Sequence, residues 1–285
     1  MKKKSQNDYG KTALLAVSFG TSHPDADAAA IKPVESALQS VFKDLEVRRA
    51  FTSKKVVSKL ASRGKYIPSP ENALNVLAGE GFDNVIVQPL HFLKGHEYEK
   101  KVVAALEPLK HKFKRFVIGR PMLSDEKDLE DLADIAASLS EEAGGEFILF
   151  MGHGSDHSAD SVYAELQKVL DKRKINALIA TVEGNLVLDS VLPEIEKRAG
   201  RNGNIHLFPL MLVAGDHAKN DMAGEDESWK TLLEKYGYKV YTYLNGLGEN
   251  LYFQQIVVKH VRESRKTIFP EKYEKMRESK KKSSC

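Results

Sequence analysis

Short apolar runs alternate along this chain with longer stretches that are apolar on one side only. The runs are "ALLAVSF" (13–19), "LEVRRAF" (45–51), "NVIVQPL" (84–90), "FKRFVIG" (113–119), "EFILFMG" (146–152), "INALIATVEG" (175–184), "IHLFPLML" (205–212) and "KVYTYL" (239–244). Each has the length of a buried strand. The stretches 25–43, 69–80, 97–112, 125–143, 160–173, 187–199 and 226–236 carry apolar residues at helical spacing. Strands alternating with helices imply βαβ units and parallel sheets covered on both faces. Eight strands divide more naturally into two sheets of four than into one of eight.

The chain also repeats itself. "LLAVSFGTSHPDAD" (14–27) resembles "FILFMGHGSDHSAD" (147–160), and "VQPLHFLKGHEYEK" (87–100) resembles "LFPLMLVAGDHAKN" (207–220). The second pair sets Pro89 against Pro209, Gly95 against Gly215 and Glu97 against His217. Two segments repeating in the same order predict two similar doubly wound α/β halves with a cleft between them. The expected division is 1–124 and 125–248. An amphipathic stretch at 249–268 packs back on the first half, and a basic tail occupies 269–285. "ENLYFQQ" (249–255) has the look of a protease tag site, but the helical pattern continues through it, so it reads as native helix.

Composition narrows the function. Hydrophobic residues make up 42% and charged residues 29%, which suits a chain with a real core. Lys+Arg at 43 against Asp+Glu at 40 leaves +3, and the basic excess collects at the two ends. No basic stripe speaks for a nucleic-acid partner. No apolar run approaches the length of a membrane span. The single cysteine is Cys285, so a disulfide framework or thiolate metal site is not expected. A cytoplasmic location fits, or a periplasmic one if a leader was removed. Neither GxxxxGK[ST] nor GxSxG occurs, and "GRNGNIH" precedes a strand, so no nucleotide site is expected.

The candidate chemistry lies where ligands bind doubly wound sheets, beyond the carboxyl ends of strands. His153 in "MGHGS" follows one apolar run, His217 in "AGDHAKND" follows another, and Glu183 closes a third. Two imidazoles and a carboxylate make an N/O donor set suited to Co, Fe, Ni or Zn. Taken singly, each histidine reads first as a structural or surface residue; the repeat, which sets both on one rim, favours the ligand reading. Glu97 is a general base, an additional ligand, or a carboxylate favoured by a helix N-terminus. Asp216 and Asp221 either orient His217 or cap a helix. His91, His96 and His157 lie near the same rim. The turn "FGTS", with Thr21 and Ser22, resembles an anion-binding helix start.

Together, "VSFGTS", "RAFTS" (49–53), "HEYEK" (96–100), "FMGHG", "TVEG", "PLMLVAGDHAKNDMAG" (209–224), "DESWK" (226–230) and "GLGEN" (246–250) resemble the anaerobic cobaltochelatases of cobalamin biosynthesis, class II chelatases related to ferrochelatase. The resemblance runs from about residue 13 to 262. It implies a two-domain chelatase fold that inserts Co²⁺ into sirohydrochlorin or precorrin-2 without ATP, with Fe²⁺ or Ni²⁺ as other metals for the same site. By the family pattern His153, Glu183 and His217 hold the metal, His153 also accepts pyrrole protons, and Glu97 lines the cleft as a catalytic residue. The tetrapyrrole partner is a polycarboxylate, so cationic and N–H donors are expected: Thr21, Ser22, Arg49, Lys94 and Lys100. Some members are periplasmic tetramers that bind haem; assembly as a homo-oligomer is an expectation here, and no haem ligand transfers. A non-catalytic tetrapyrrole or metal carrier on the same fold and a bilobal solute-binding protein are the rival readings.

Overall fold

A computed structural model describes residues 10–271. Its eight strands are β1 (Thr12–Ser18), β2 (Glu46–Phe51), β3 (Asn84–Pro89), β4 (Arg115–Ile118), β5 (Phe147–Gly152), β6 (Ala177–Thr181), β7 (Asn204–Pro209) and β8 (Lys239–Thr242). They form two four-stranded sheets of order β2-β1-β3-β4 and β6-β5-β7-β8, parallel throughout. All residues of β3, β5 and β6 are buried. That is why these strands appear in the sequence as unbroken apolar runs rather than alternating ones. The edge strands β2, β4 and β8 are only partly buried and carry the charged residues.

The two sheets do not have separate cores. The outer face of the first is packed by Leu15, Val17, Leu74 and Val85, and that of the second by Leu149, Ala180, Ile195 and Leu207. The inner faces share one cluster, in which Leu14 and Ile86 of the first half join Phe150 and Ile179 of the second. The helices Glu126–Glu142 and Leu251–Ile268 supply the bridge, through Leu132 and Ile135 on one and Phe253, Val257 and Val261 on the other. Burial of this area, at about 25 cal/mol per Å², holds the halves together as one body beneath the cleft. A polar clamp sits at the same junction: the buried Asp128 accepts from His260 at 2.9 Å, and Arg120 pairs with Asp128 and with Glu263.

The helix Leu251–Ile268 begins inside "ENLYFQQ". Asn250 caps it by accepting from the N–H groups of Tyr252 and Phe253, and the buried Gln254 donates to Gly248 O at 3.0 Å. The segment is therefore integral to the fold.

Several elements differ from the sequence reading. Lys54–Ala61 forms an additional helix, capped by Ser53; it is short and buries only Leu60, so it leaves little apolar signal. The expected helix over 97–112 is instead four short pieces: His96–Tyr98, a π-helical Glu99–Val103, Ala104–Leu106 and a 3-10 stretch Glu107–Lys112. Pro108 has no N–H to continue an α-helical ladder. Strand β6 ends at Thr181, which leaves Glu183 in the following turn rather than at the strand end. The basic tail falls largely in 272–285, which includes Cys285 and, with residues 1–9, lies outside the described residues. No helix among the described residues is long and apolar enough to cross a membrane.

The internal repeat is visible in the hydrogen bonding. Val17 stands opposite Pro89 in one sheet, and Met151 stands opposite Pro209 in the other. Leu90 N then donates to Val17 O at 2.8 Å, and Leu210 N to Met151 O at 2.7 Å. This register makes Gly20 the counterpart of Gly154, both with positive φ. It also makes Phe19 the counterpart of His153, one residue out of step with the sequence match. The first half thus offers Phe19 and Glu97 where the second offers His153 and His217.

Candidate active site

A cleft of about 510 Å³ opens between the two halves, within the usual size of small-molecule sites. Its walls come from the turns after β1, β3, β5, β6 and β7, all beyond the carboxyl ends of the strands. Thr21, Ser22, Glu97, His153, Glu183 and His217 all line it. So do His23, His91, His96, Asp156, Asp216 and the fully buried Tyr163. Apolar walls are supplied by Phe19, Phe92, Leu93, Met211, Leu212 and Val213.

The rings of His153 and His217 meet edge to face, with centroids 4.7 Å apart. His153 Nδ1 donates to Gly154 O at 3.1 Å and lies 3.3 Å from Glu183 Oε1. A carbonyl only accepts, so the proton is on Nδ1. His217 Nδ1 faces Asp221 Oδ2 at 2.5 Å, four residues along a π-helical turn spanning His217–Met222. That contact fixes the same tautomer. In the neutral ring Nε2 then carries the free lone pair, the arrangement by which outer partners prepare a histidine for a metal. Glu183 faces the protonated side of His153, not its Nε2. Accordingly, among the described residues no group of three His, Cys, Asp or Glu side chains is preassembled around one point.

Two residues hold the turns that carry His153 and Glu183. Gly154 has φ +79°, and a Cβ there would fall 1.7 Å from Glu183 O. Only glycine allows the two turns to approach so closely. Asp160, buried, accepts from the N–H of Ser155 at 3.1 Å and from that of Asn185 at 3.1 Å, tying one turn to the other. Sequence reading missed Asp160, because one acid inside a "SAD" helix start carries no distinguishing signal.

On the opposite wall Glu97 Oε2 accepts from Thr52 Oγ1 at 3.1 Å, and Lys101 pairs with Oε1 at 2.5 Å. His91 Nε2 lies 3.4 Å from the same hydroxyl, while its Nδ1 is buried without a hydrogen-bond partner. Burial lowers the His91 pKa from its ordinary value to about 4. The folded protein therefore resists protonation there, whereas the unfolded chain takes up the proton near pH 6.5. Stability contributed by this residue is complete above pH 6.5 and is lost as pH falls towards 4, by up to about 3 kcal/mol. Urea unfolding at pH 7 and pH 4.5 should show the loss, and His91→Gln should shrink it. An undiminished pH slope in the variant would exclude this cause.

Four of the expected residues lie elsewhere or are engaged with other partners. Arg49 does not line the cleft: its guanidinium is spent on Glu35 and on Asp27, the latter at 2.9 Å. Burial of Glu35 raises its pKa even so. Lys94 is exposed and, like Lys100, is absent from the walls. Asp216 does not support His217 but meets His23 Nε2 at 2.6 Å, a contact that lowers its pKa.

With this geometry the comparisons are specific. The family model described as cobalt chelatase (CbiK) matches residues 12–266. A sirohydrochlorin cobaltochelatase of Salmonella typhimurium is 37% identical over 257 residues, 89% of this chain and 96% of its own length. The sirohydrochlorin cobaltochelatase CbiKC of Nitratidesulfovibrio vulgaris is 33% identical over 258 residues, 88% of this chain and 89% of its own. In fold the chain is similar to SirB from Bacillus subtilis solved with Fe³⁺, at a TM-score of 0.62 and 16% identity, covering 89% of this chain and 95% of that one. It is also similar to CbiX of denitrifying bacteria, at a TM-score of 0.55 and 16% identity over 88% and 98%. The chain belongs to the cobalt chelatase (CbiK) family.

Proposed function

We propose that this protein is a sirohydrochlorin cobaltochelatase, inserting Co²⁺ into the macrocycle in cobalamin biosynthesis without a nucleotide. The observation that carries this reading is the His153–His217 contact, with Nδ1 of each ring engaged by an acceptor, in a cleft whose facing wall presents Glu97. Insertion exchanges one divalent cation for two pyrrole protons, so total charge in the cleft is conserved. His153 and His217 receive the Co²⁺ substrate, and Glu183 joins them by turning away from Nδ1 of His153. Imidazole is a borderline donor that gives up a metal more readily than thiolate. His153 Nε2, vacated as the ion moves to the macrocycle, is a base for one pyrrole proton. Glu97 takes the other, held in place by Thr52 and Lys101. The apolar walls favour a flat conjugated ring. The donor set also accepts Fe²⁺ and Ni²⁺. Soluble homo-oligomers in the cytoplasm are consistent with this role.

The test is to mix protein, Co²⁺ and sirohydrochlorin without oxygen and follow the macrocycle absorbance. Many turnovers per chain are expected. One equivalent bound with no gain in rate would overturn catalysis and leave a carrier.

A further inference from the structure

The cleft has to hold a polycarboxylate, yet no lysine or arginine of the described residues lines it. Its basic groups are the imidazoles of His23, His91, His96, His153 and His217. Two of these face the metal position. His91 is held neutral, with one nitrogen sealed from any partner. That leaves His23 and His96, which are partly exposed and stand on opposite flanks.

Each of the two faces a carboxylate from the other half, His23 at hydrogen-bond distance and His96 just beyond it. His23 Nε2 is 2.6 Å from Asp216 Oδ1, and His96 Nε2 is 3.6 Å from Asp156 Oδ1. The positions are related by the internal repeat. The register that equates Gly20 with Gly154 also equates His23 with His157, and the second repeat equates His96 with Asp216. The His23–Asp216 contact thus corresponds to the contact between the His96 and His157 rings, 4.7 Å apart. His157 itself is already committed. Its Nδ1 accepts from Ala159 N at 3.1 Å, so the remaining proton is on Nε2, 3.4 Å from Glu99.

We propose that His23 and His96 anchor peripheral carboxylates of the macrocycle, one on each flank, and that Asp216 and Asp156 occupy these anchors until substrate displaces them. An imidazole N–H donates to a carboxylate whether the ring is neutral or protonated, and the pairing is stronger when it is protonated. The inference rests on sirohydrochlorin being the substrate. It explains how a cleft without permanent cations selects a polyanionic ring, and it assigns recognition to residues separate from the metal-binding pair.

The experiment measures binding of metal-free sirohydrochlorin by anaerobic absorbance titration, alongside KM, kcat and Co²⁺ binding. His23→Ala and His96→Ala should each weaken macrocycle binding and raise KM about tenfold, the loss of one charge-assisted hydrogen bond, with kcat and Co²⁺ affinity nearly unchanged. Asp156→Asn should act in the opposite direction and tighten macrocycle binding, because it removes the competitor. Contacts that merely clasp the two halves would make all three variants change binding in the same direction, and that result would overturn the proposal. A larger effect from Lys94→Ala than from either histidine would overturn it too. If the wild-type protein binds no sirohydrochlorin, the functional reading itself fails, and the two failures are told apart.

Discussion

Replacing His217 by alanine should lower the rate of Co²⁺ insertion by about 10² or more while leaving the fold intact, and His153→Ala should do the same. His217 and His153 are roughly half exposed, so truncation opens no core cavity. What is lost is one of two Nε2 donors whose tautomer is already set by Asp221 on one side and Gly154 O on the other. Asp221→Ala should give a milder defect, about 10- to 100-fold, because the donor survives but its orientation does not. Single-turnover absorbance measurements under nitrogen, with circular dichroism for folding, decide the matter. Insertion at the native rate by either histidine variant would sink the assignment of the metal-binding pair.

The second large effect should come from Gly154→Ala. The new Cβ would sit 1.7 Å from the carbonyl oxygen of Glu183, with the backbone at φ +79°. One of the two turns must move, and these turns carry His153 and Glu183. A stability loss of about 2 kcal/mol is expected from the backbone conformation and the close contact together. Most of the insertion activity should go with it. Gly144→Ala is the control: Gly144 also has positive φ (+68°), but a Cβ there meets nothing within 4 Å. It should show a conformational cost in melting temperature and retain activity. Equal activity in the two variants would mean that the closeness of the turns is irrelevant to the site.

The fold was largely legible in the sequence for a simple reason. Central strands of parallel sheets are buried on both faces, so β1, β3, β5 and β7 stand out as apolar runs. Repetition of two segments in the same order then identified two halves of four strands. The principal cleft residues were equally legible, because a doubly wound sheet sends the residues after its strands to one rim. Thr21, Ser22, Glu97, His153, Glu183 and His217 could be placed on one cleft without coordinates.

Who pairs with whom was not legible, because pairing depends on distances across the chain rather than along it. Arg49 reads as a free cation in "RRAF" and is in fact neutralised by Glu35 and Asp27. Asp216 adjoins His217 in sequence, yet its partner is His23, from the other half. Asp160, Thr52 and His91 acquired roles only when separate turns came together. Local periodicity thus determined the strands, the duplication and the rim on which chemistry-bearing residues sit. Tertiary packing decided which nitrogen of each imidazole is free, which charges are already spent, and which residues hold the turns together, since each of these is set by neighbours that the chain brings in from far away.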